Sequence, residues 1–151
     1  MSDLSSPTAS AGAPRYGNPA SECAGAQMRA LCRQLATVVT VEGRIGAANL
    51  NLVSQYAKRF ILREKAYVLD LSRVKSFTTQ GISILYAIDE ECRAAGVEWA
   101  LLTSAAVAQR LNIHNDGALL PIADSLPEAL EYFADITRSR RRLLPLLSRT
   151  A

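Results

Sequence analysis

Apolar positions along this chain become periodic only from about Gln27 onward. Met28 to Cys32 alternates weakly, and Ala36 to Val41 (ATVVTV) is a β-branched run ahead of Gly43. The two segments read as strands joined by a short turn. Leu50, Val53, Ala57, Phe60 and Ile61 then recur at helical spacing, with Lys58, Arg59 and Arg63 elsewhere on the circle. That pattern predicts an amphipathic helix starting near Ala48 or Asn49. Tyr67-Val68-Leu69 is a short apolar run ending at Asp70, as expected of a strand covered on both faces.

A second helix is predicted over Gly81 to Ala95, with Ile82, Leu85, Ile88 and Cys92 on its buried stripe and Gly96 placed as a left-handed cap. Trp99 to Leu102 is another short strand, and Ser104 can cap a helix running to about Leu111. Ile122-Ala123 reads as a last small strand. Ser125-Leu126-Pro127-Glu128 is a capping-box sequence, and Leu126, Leu130, Phe133 and Ala134 give the following helix its stripe. The order is β-β-α-β-α-β-α-β-α, without internal repeats. Strands separated by helices imply parallel pairing after an antiparallel opening pair, so the fold class is a small α/β domain with a mixed, mostly parallel sheet and four helices.

Composition and charge divide the 151 residues into three parts. Residues 1–25 hold 16 Ser, Ala, Gly or Pro and almost no large apolar side chain, so they are expected to form a flexible leader. Residues 26–137 form the domain. Residues 138–151 carry Arg138, Arg140, Arg141, Arg142 and Arg149 and no acid, a basic tail of charge +5. The formal charge of the whole chain is +3, which leaves +3 − 5 = −2 for residues 1–137. The body therefore shows no nucleic-acid surface. The tail, interleaved with Leu143, Leu144, Leu146 and Leu147, reads either as a solvated helix extension broken at Pro145 or as an arm for an acidic partner, a membrane surface or a second copy.

Several function classes recede. No run approaches the ~20 apolar residues of a membrane span. No apolar h-region follows the first cation, Arg15, so a signal peptide is not expected. Cys23, Cys32 and Cys92 cannot all pair and lack metal spacing, which fits reduced thiols in the cytoplasm. His114 is the sole histidine, in a loop-like stretch, and no nucleophile–base pair, metal cluster or phosphate loop accompanies it. Gly43 and Gly46 lack a Gly-Lys-Ser/Thr continuation and read as turn residues; Trp99 and Cys92 read as packing. No enzyme, metal or cofactor is expected.

The segment from Asp70 to Leu85 (DLSRVKSFTTQGISIL) resembles the signature of STAS domains, the fold of bacterial anti-sigma factor antagonists. In that family a strand ends in Asp-Leu-Ser/Thr, and an Asp-Ser-Ser-Gly turn and an apolar helix follow. Asp70, Leu71, Ser72, Val74, Gly81, Ile82, Ile84 and Leu85 match. Upstream, Val39 to Ile45 (VTVEGRI) is similar to the family's first strand and turn. Arg93 to Val97, Ala106 to Leu111 and Ile122 to Ala129 are similar to its later elements. The resemblance covers roughly residues 27–137.

The resemblance implies a binding module that sequesters an anti-sigma factor, a histidine-kinase-like ATPase, and thereby frees a sigma factor. Its alternative is a STAS subunit or scaffold of a bacterial transport complex. In the family the second Ser of the turn is the phosphoacceptor; here that position is Gln80, with Thr78 and Thr79 ahead of it and Gly46 replacing the usual acid after the first turn. The partner-binding residues implied are Thr78, Thr79, Gln80, Gly81, Ser83 and Tyr86. The partner-kinase switch is expected to be absent or moved, with Thr79 as the relocated acceptor; Thr78 and Thr79 serve equally well as simple helix caps. The leader offers Ser5, Ser6, Thr8 and Ser10 to a separate Ser/Thr kinase.

Overall fold

The structure, a computed structural model, describes residues 20–113 and 120–150. Five strands form one sheet in sequential order: β1 (Ala20–Cys23), β2 (Ala26–Cys32), β3 (Ala36–Ile45), β4 (Ala66–Phe77) and β5 (Trp99–Thr103). β1, β2 and β3 pair antiparallel, whereas β3–β4 and β4–β5 are parallel. The crossovers are α1 (Leu50–Arg59) and α2 (Ile82–Ala95); α3 (Ala105–Ile113) and α4 (Leu126–Thr150) follow β5. This is the expected single α/β domain with a mixed sheet and four helices.

The two-residue periodicity of the strands sorts their side chains into two cores. Tyr67, Leu69 and Leu71 of β4 join Met28, Val39, Val41 and Leu101 beneath α1, α2 and α3. Val68, between them in sequence, points the other way and meets Val38, Ala100, Leu102 and, from α4, Ala129 and Phe133. The stripe of α2 is buried as its spacing predicts, with Ile84 added to it. Gly96 caps that helix at φ 71°. On α1, Val53, Tyr56 and Ala57 are buried; Phe60 and Ile61 lie just beyond the helix and pack partly buried.

Four boundaries differ from the sequence reading. Ala20–Cys23 is a strand, so residues 20–25 do not belong to the leader. Its turn, Ala24-Gly25, has φ of 44° and 103°, the double positive φ of a tight hairpin, but Ala-Gly is a weak written signal for it. β4 does not stop at Asp70 but runs to Phe77, because Leu71, Val74 and Phe77 remain buried, Leu71 paired with β5 and Val74 and Phe77 with β3. Ile122 contributes one parallel bridge to Leu101 in place of a strand. Last, α4 continues through Pro145 to Thr150, carried by Arg and Leu neighbours of high helix propensity.

Both predicted caps form. The Ser104 hydroxyl accepts from the Val107 N–H (3.2 Å), and Ser125 accepts from the Glu128 N–H (3.2 Å). The Glu128 carboxylate reaches back to the N–H of Asp124 (2.8 Å), one residue earlier than in the standard box.

Buried Cys92 has its thiol pushed up from 9.0 to about 12, first by burial and then by the negative charge of Asp89 and Glu91. Burial also raises Tyr67, whose hydroxyl donates to the Ala57 carbonyl at 2.7 Å. The unfolded thiol ionises at its ordinary value while the folded one stays neutral, so stability is full below about pH 9 and declines as pH rises toward about 12. Urea-unfolding midpoints across that window are expected to fall, and less steeply for Cys92→Ala; an equally steep fall in that variant contradicts the assignment.

Candidate functional site

The parallel ladder between β3 and β4 starts at Ala36↔Ala66 and ends at Ile45↔Phe77. β3 covers that distance in nine steps and β4 in eleven, the two irregularities near Thr40/Glu42 and Gly43/Arg44 absorbing the difference. Both strands therefore finish side by side, and the Thr78 N–H donates to the Ile45 carbonyl at 3.2 Å. The turn that leads into α2 sits on this joint.

Asn49 fixes the β3 side of the joint. It is buried, its Oδ1 accepts from the Gly46 N–H (3.0 Å), and its Nδ2 donates to the carbonyls of Arg44 (2.8 Å) and Ala24 (3.3 Å). The helix start expected near Asn49 is thus correct, but the side chain ties the β1–β2 turn to the end of β3 and leaves its own helix uncapped. Gly43, at φ 97°, makes this close approach possible: a Cβ there would lie 2.3 Å from the Gly25 carbonyl oxygen.

The turn itself is Thr78 in extended conformation (φ −84°, ψ 164°), a single 3-10 turn over Thr79–Gly81, and then α2. The Thr78 carbonyl accepts from the Gly81 N–H at 2.9 Å. The Thr78 hydroxyl caps nothing; its Oγ1 is buried without a hydrogen-bond partner. The capping expected of Thr78 is therefore not what the side chain does. Its methyl rests instead against Gly46, where a Cβ would stand 3.3 Å from Cγ2. Gly81 has ordinary helical angles (φ −63°, ψ −24°), so its lack of a side chain serves space: a Cβ would come within 2.6 Å of the Phe77 ring.

Thr79, Gln80 and Ser83 are exposed, and Ser83 Oγ donates to the Gln80 carbonyl at 2.7 Å. Gly81 is buried beneath them and presents no surface to a partner. Tyr86, one turn after Ile82, is half-buried and packs against the larger core, so it borders the exposed face instead of standing on it. Arg110 is the residue the sequence reading missed. From α3, its Nε donates to the Phe77 carbonyl at 2.9 Å and holds the end of β4 directly beneath the turn. No local pattern signals a contact across 33 residues.

Below the turn, Asp70 accepts from both the N–H (3.0 Å) and the hydroxyl (2.6 Å) of Ser72, so the Asp-Leu-Ser signature is a local brace within β4. Cys92 and Trp99 are packing residues, and Trp99 Nε1 also donates to Asp89 at 2.9 Å. Among the described residues no group of three His, Cys, Asp or Glu side chains converges as metal ligands. His114 and the leader serines and threonine lie outside the described residues.

Two substitutions test this account of the turn. Thr78→Val removes a buried hydroxyl without a partner and is expected to raise stability by roughly 1 kcal/mol. Gly81→Ala drives a methyl into Phe77 and is expected to lower it by roughly 1–3 kcal/mol. Urea-unfolding midpoints measure both, and a stabilising Gly81→Ala contradicts the packing described.

The family model for the STAS domain matches residues 27–129. Osmosensory protein A of Mycobacterium tuberculosis is 46% identical over 142 residues, which cover 91% of this chain and 90% of that protein. Among solved structures, an anti-sigma factor antagonist from Mycobacterium paratuberculosis superposes with a TM-score of 0.64 at 20% identity, over 72% of this chain and 94% of the other. A sulfate transporter family protein from Wolinella succinogenes gives 0.58 at 17% identity, over 72% and 92%. These two likenesses establish the fold.

Proposed function

This chain belongs to the STAS-domain family, and we propose that it acts in transcription regulation as an anti-sigma factor antagonist, binding an anti-sigma factor and so releasing a sigma factor. The reading makes it a binding module without catalysis of its own. The observation that carries it is the exposed turn Thr79-Gln80 with Ser83, held rigidly on the β3–β4 joint in a chain of this family. The family's partner-docking turn has been kept as a surface while its phosphoacceptor has been lost. Homologous structures described as anti-sigma factor antagonists support the same kind of role. The name of the Mycobacterium tuberculosis relative points to osmolarity as the stress that engages it.

The chemistry of the turn favours binding without the family's usual control. The two departures from the family pattern, Thr78 for an acid and Gly46 for an acid, are in contact with each other. Together they replace two carboxylates by a methyl resting on a glycine, and Gln80 adds no charge. A phosphoryl group at Thr79 would add about −1.5 to −2 charge to the docking surface. Thr79 is exposed and is the acceptor proposed for a Ser/Thr kinase.

Affinity capture from native cell extract distinguishes the partner classes. A histidine-kinase-like ATPase supports the antagonist, and an ABC-type ATPase supports a transport role. With the partner in hand, Thr79→Glu or Gln80→Glu is expected to weaken binding about tenfold or more while the circular dichroism spectrum stays unchanged. Unaltered affinity in both moves the interface elsewhere. Intact-protein mass spectrometry after incubation with ATP and Ser/Thr kinases is expected to place phosphate on Thr79, and Thr79→Val to abolish it; phosphate confined to residues 1–25 assigns control to a different segment.

A further inference from the structure

α4 outruns the domain it packs against. Its first half is seated on the sheet through Ala129 and Phe133, with Leu126 and Leu130 partly buried beside them. By Ile136, Thr137 and Arg140 it has reached the end of the sheet, where these residues line one cavity with Leu35 of the β2–β3 turn, Lys65 ahead of β4 and Glu98 ahead of β5. Arg140 marks the limit with an ion pair to Glu98 at 3.8 Å. The ten remaining residues carry the helix about 15 Å further, beyond the last strand residue.

The overhang keeps the helix's pattern although the sheet has ended. At about 100° per residue, the register of Leu143, Leu144 and Leu147 falls within about 60° of the Ala129–Phe133 direction, on the side that also holds Arg140. Arg138, Arg142 and Arg149 fall opposite, with the register of Leu146 partly toward them; Arg138 pairs with Asp135, and the segment after Asp135 contains no acid. Further cations gather at the same end of the sheet. Arg33 lies in the β2–β3 turn, Arg59 closes α1, and Arg63 and Lys65 precede β4; Arg33, Arg59 and Arg63 are exposed. Glu64 and Glu98 are the acids beside them, and Glu98 already faces Arg140.

We propose that this pole of the molecule docks on an anionic lipid surface, with the overhang of α4 lying in the interface plane. A leucine stripe backed by arginines is the pattern of a helix that rests in a headgroup layer. The cations come from three separate chain segments around one end of the domain, which suits an extended, flat anionic surface. A second copy would set Arg142 and Arg149 of two chains side by side with no acid after Asp135 to offset them. A nucleic acid would neutralise the arginines but leave the leucines in water. The helix lies on the bilayer and does not cross it: no described helix is long and apolar enough to span. The proposal goes beyond the antagonist reading and does not rest on it.

The test is flotation of the full-length chain with vesicles of equal parts phosphatidylglycerol and phosphatidylcholine, against vesicles of phosphatidylcholine alone. Binding is expected only with phosphatidylglycerol, and it is expected to weaken between about 0.1 M and about 1 M salt as the screening length falls from about 10 Å to about 3 Å. Arg138→Gln combined with Arg142→Gln should lower partitioning about 30-fold, at roughly fivefold per cation. Leu144→Asp combined with Leu147→Asp should abolish it; both pairs lie at or beyond the edge of the core, and circular dichroism verifies that the fold is kept. Absence of flotation, equal flotation on phosphatidylcholine, or undiminished flotation of both variants overturns the proposal. So does a tail-dependent dimer in sedimentation equilibrium that fails to bind vesicles.

Discussion

The parallel pairing of β3 with β4 is the constraint on which the rest of this structure depends. It is the point where the antiparallel opening hairpins turn into a parallel sheet, and it places Ile45 and Phe77 at one level. The turn after β4 then needs little else to be fixed: one backbone hydrogen bond to Ile45, the Phe77 ring beneath Gly81, and Arg110 on the Phe77 carbonyl. The exposed side chains of Thr79 and Gln80 are consequently free of structural duty and can vary in chemistry without disturbing the fold.

Thr78 shows the opposite situation. Its hydroxyl is shut inside the joint without a partner, and its methyl occupies the space above Gly46. A side chain at position 46 would have to be accommodated by the Thr78 methyl, so the two positions are packed as a pair.

Element type was legible wherever burial was strongly periodic. The stripe of α2, with Ile82, Leu85, Ile88 and Cys92, and the caps at Gly96, Ser104 and Ser125 are local chemistry and could be read directly. The continuation of β4 past Asp70 was not legible, because Ser72, Arg73, Lys75 and Ser76 face solvent and dilute the apolar positions that keep the strand paired. Strand β1 was hidden for a related reason: its place in the sheet is set by backbone pairing across a tight turn, and Ala-Gly announces such a turn poorly. Asn49 and Arg110 escaped because each acts between segments distant in sequence. The departures at Gly46, Thr78 and Gln80 were visible as letters, but only the structure brought the first two into contact.

The geometry also separates the two surfaces assigned here. The turn proposed for docking follows the C-terminal end of β4, and the basic pole surrounds its N-terminal end at Ala66. The paired strand β3 covers the same span in nine steps, which puts about 30 Å between them, roughly three screening lengths at about 0.1 M salt. A phosphoryl group at Thr79 would therefore exert almost no direct electrostatic force on the arginines of α4. Any coupling between the ends would have to pass through the sheet itself, whose pairing runs from Ala66 to Phe77 with two irregularities and whose two faces are fully packed around Val68 and Leu69. Such a core resists graded deformation. The proposed docking turn and the proposed lipid-facing pole would thus act as independent contacts at opposite ends of one strand.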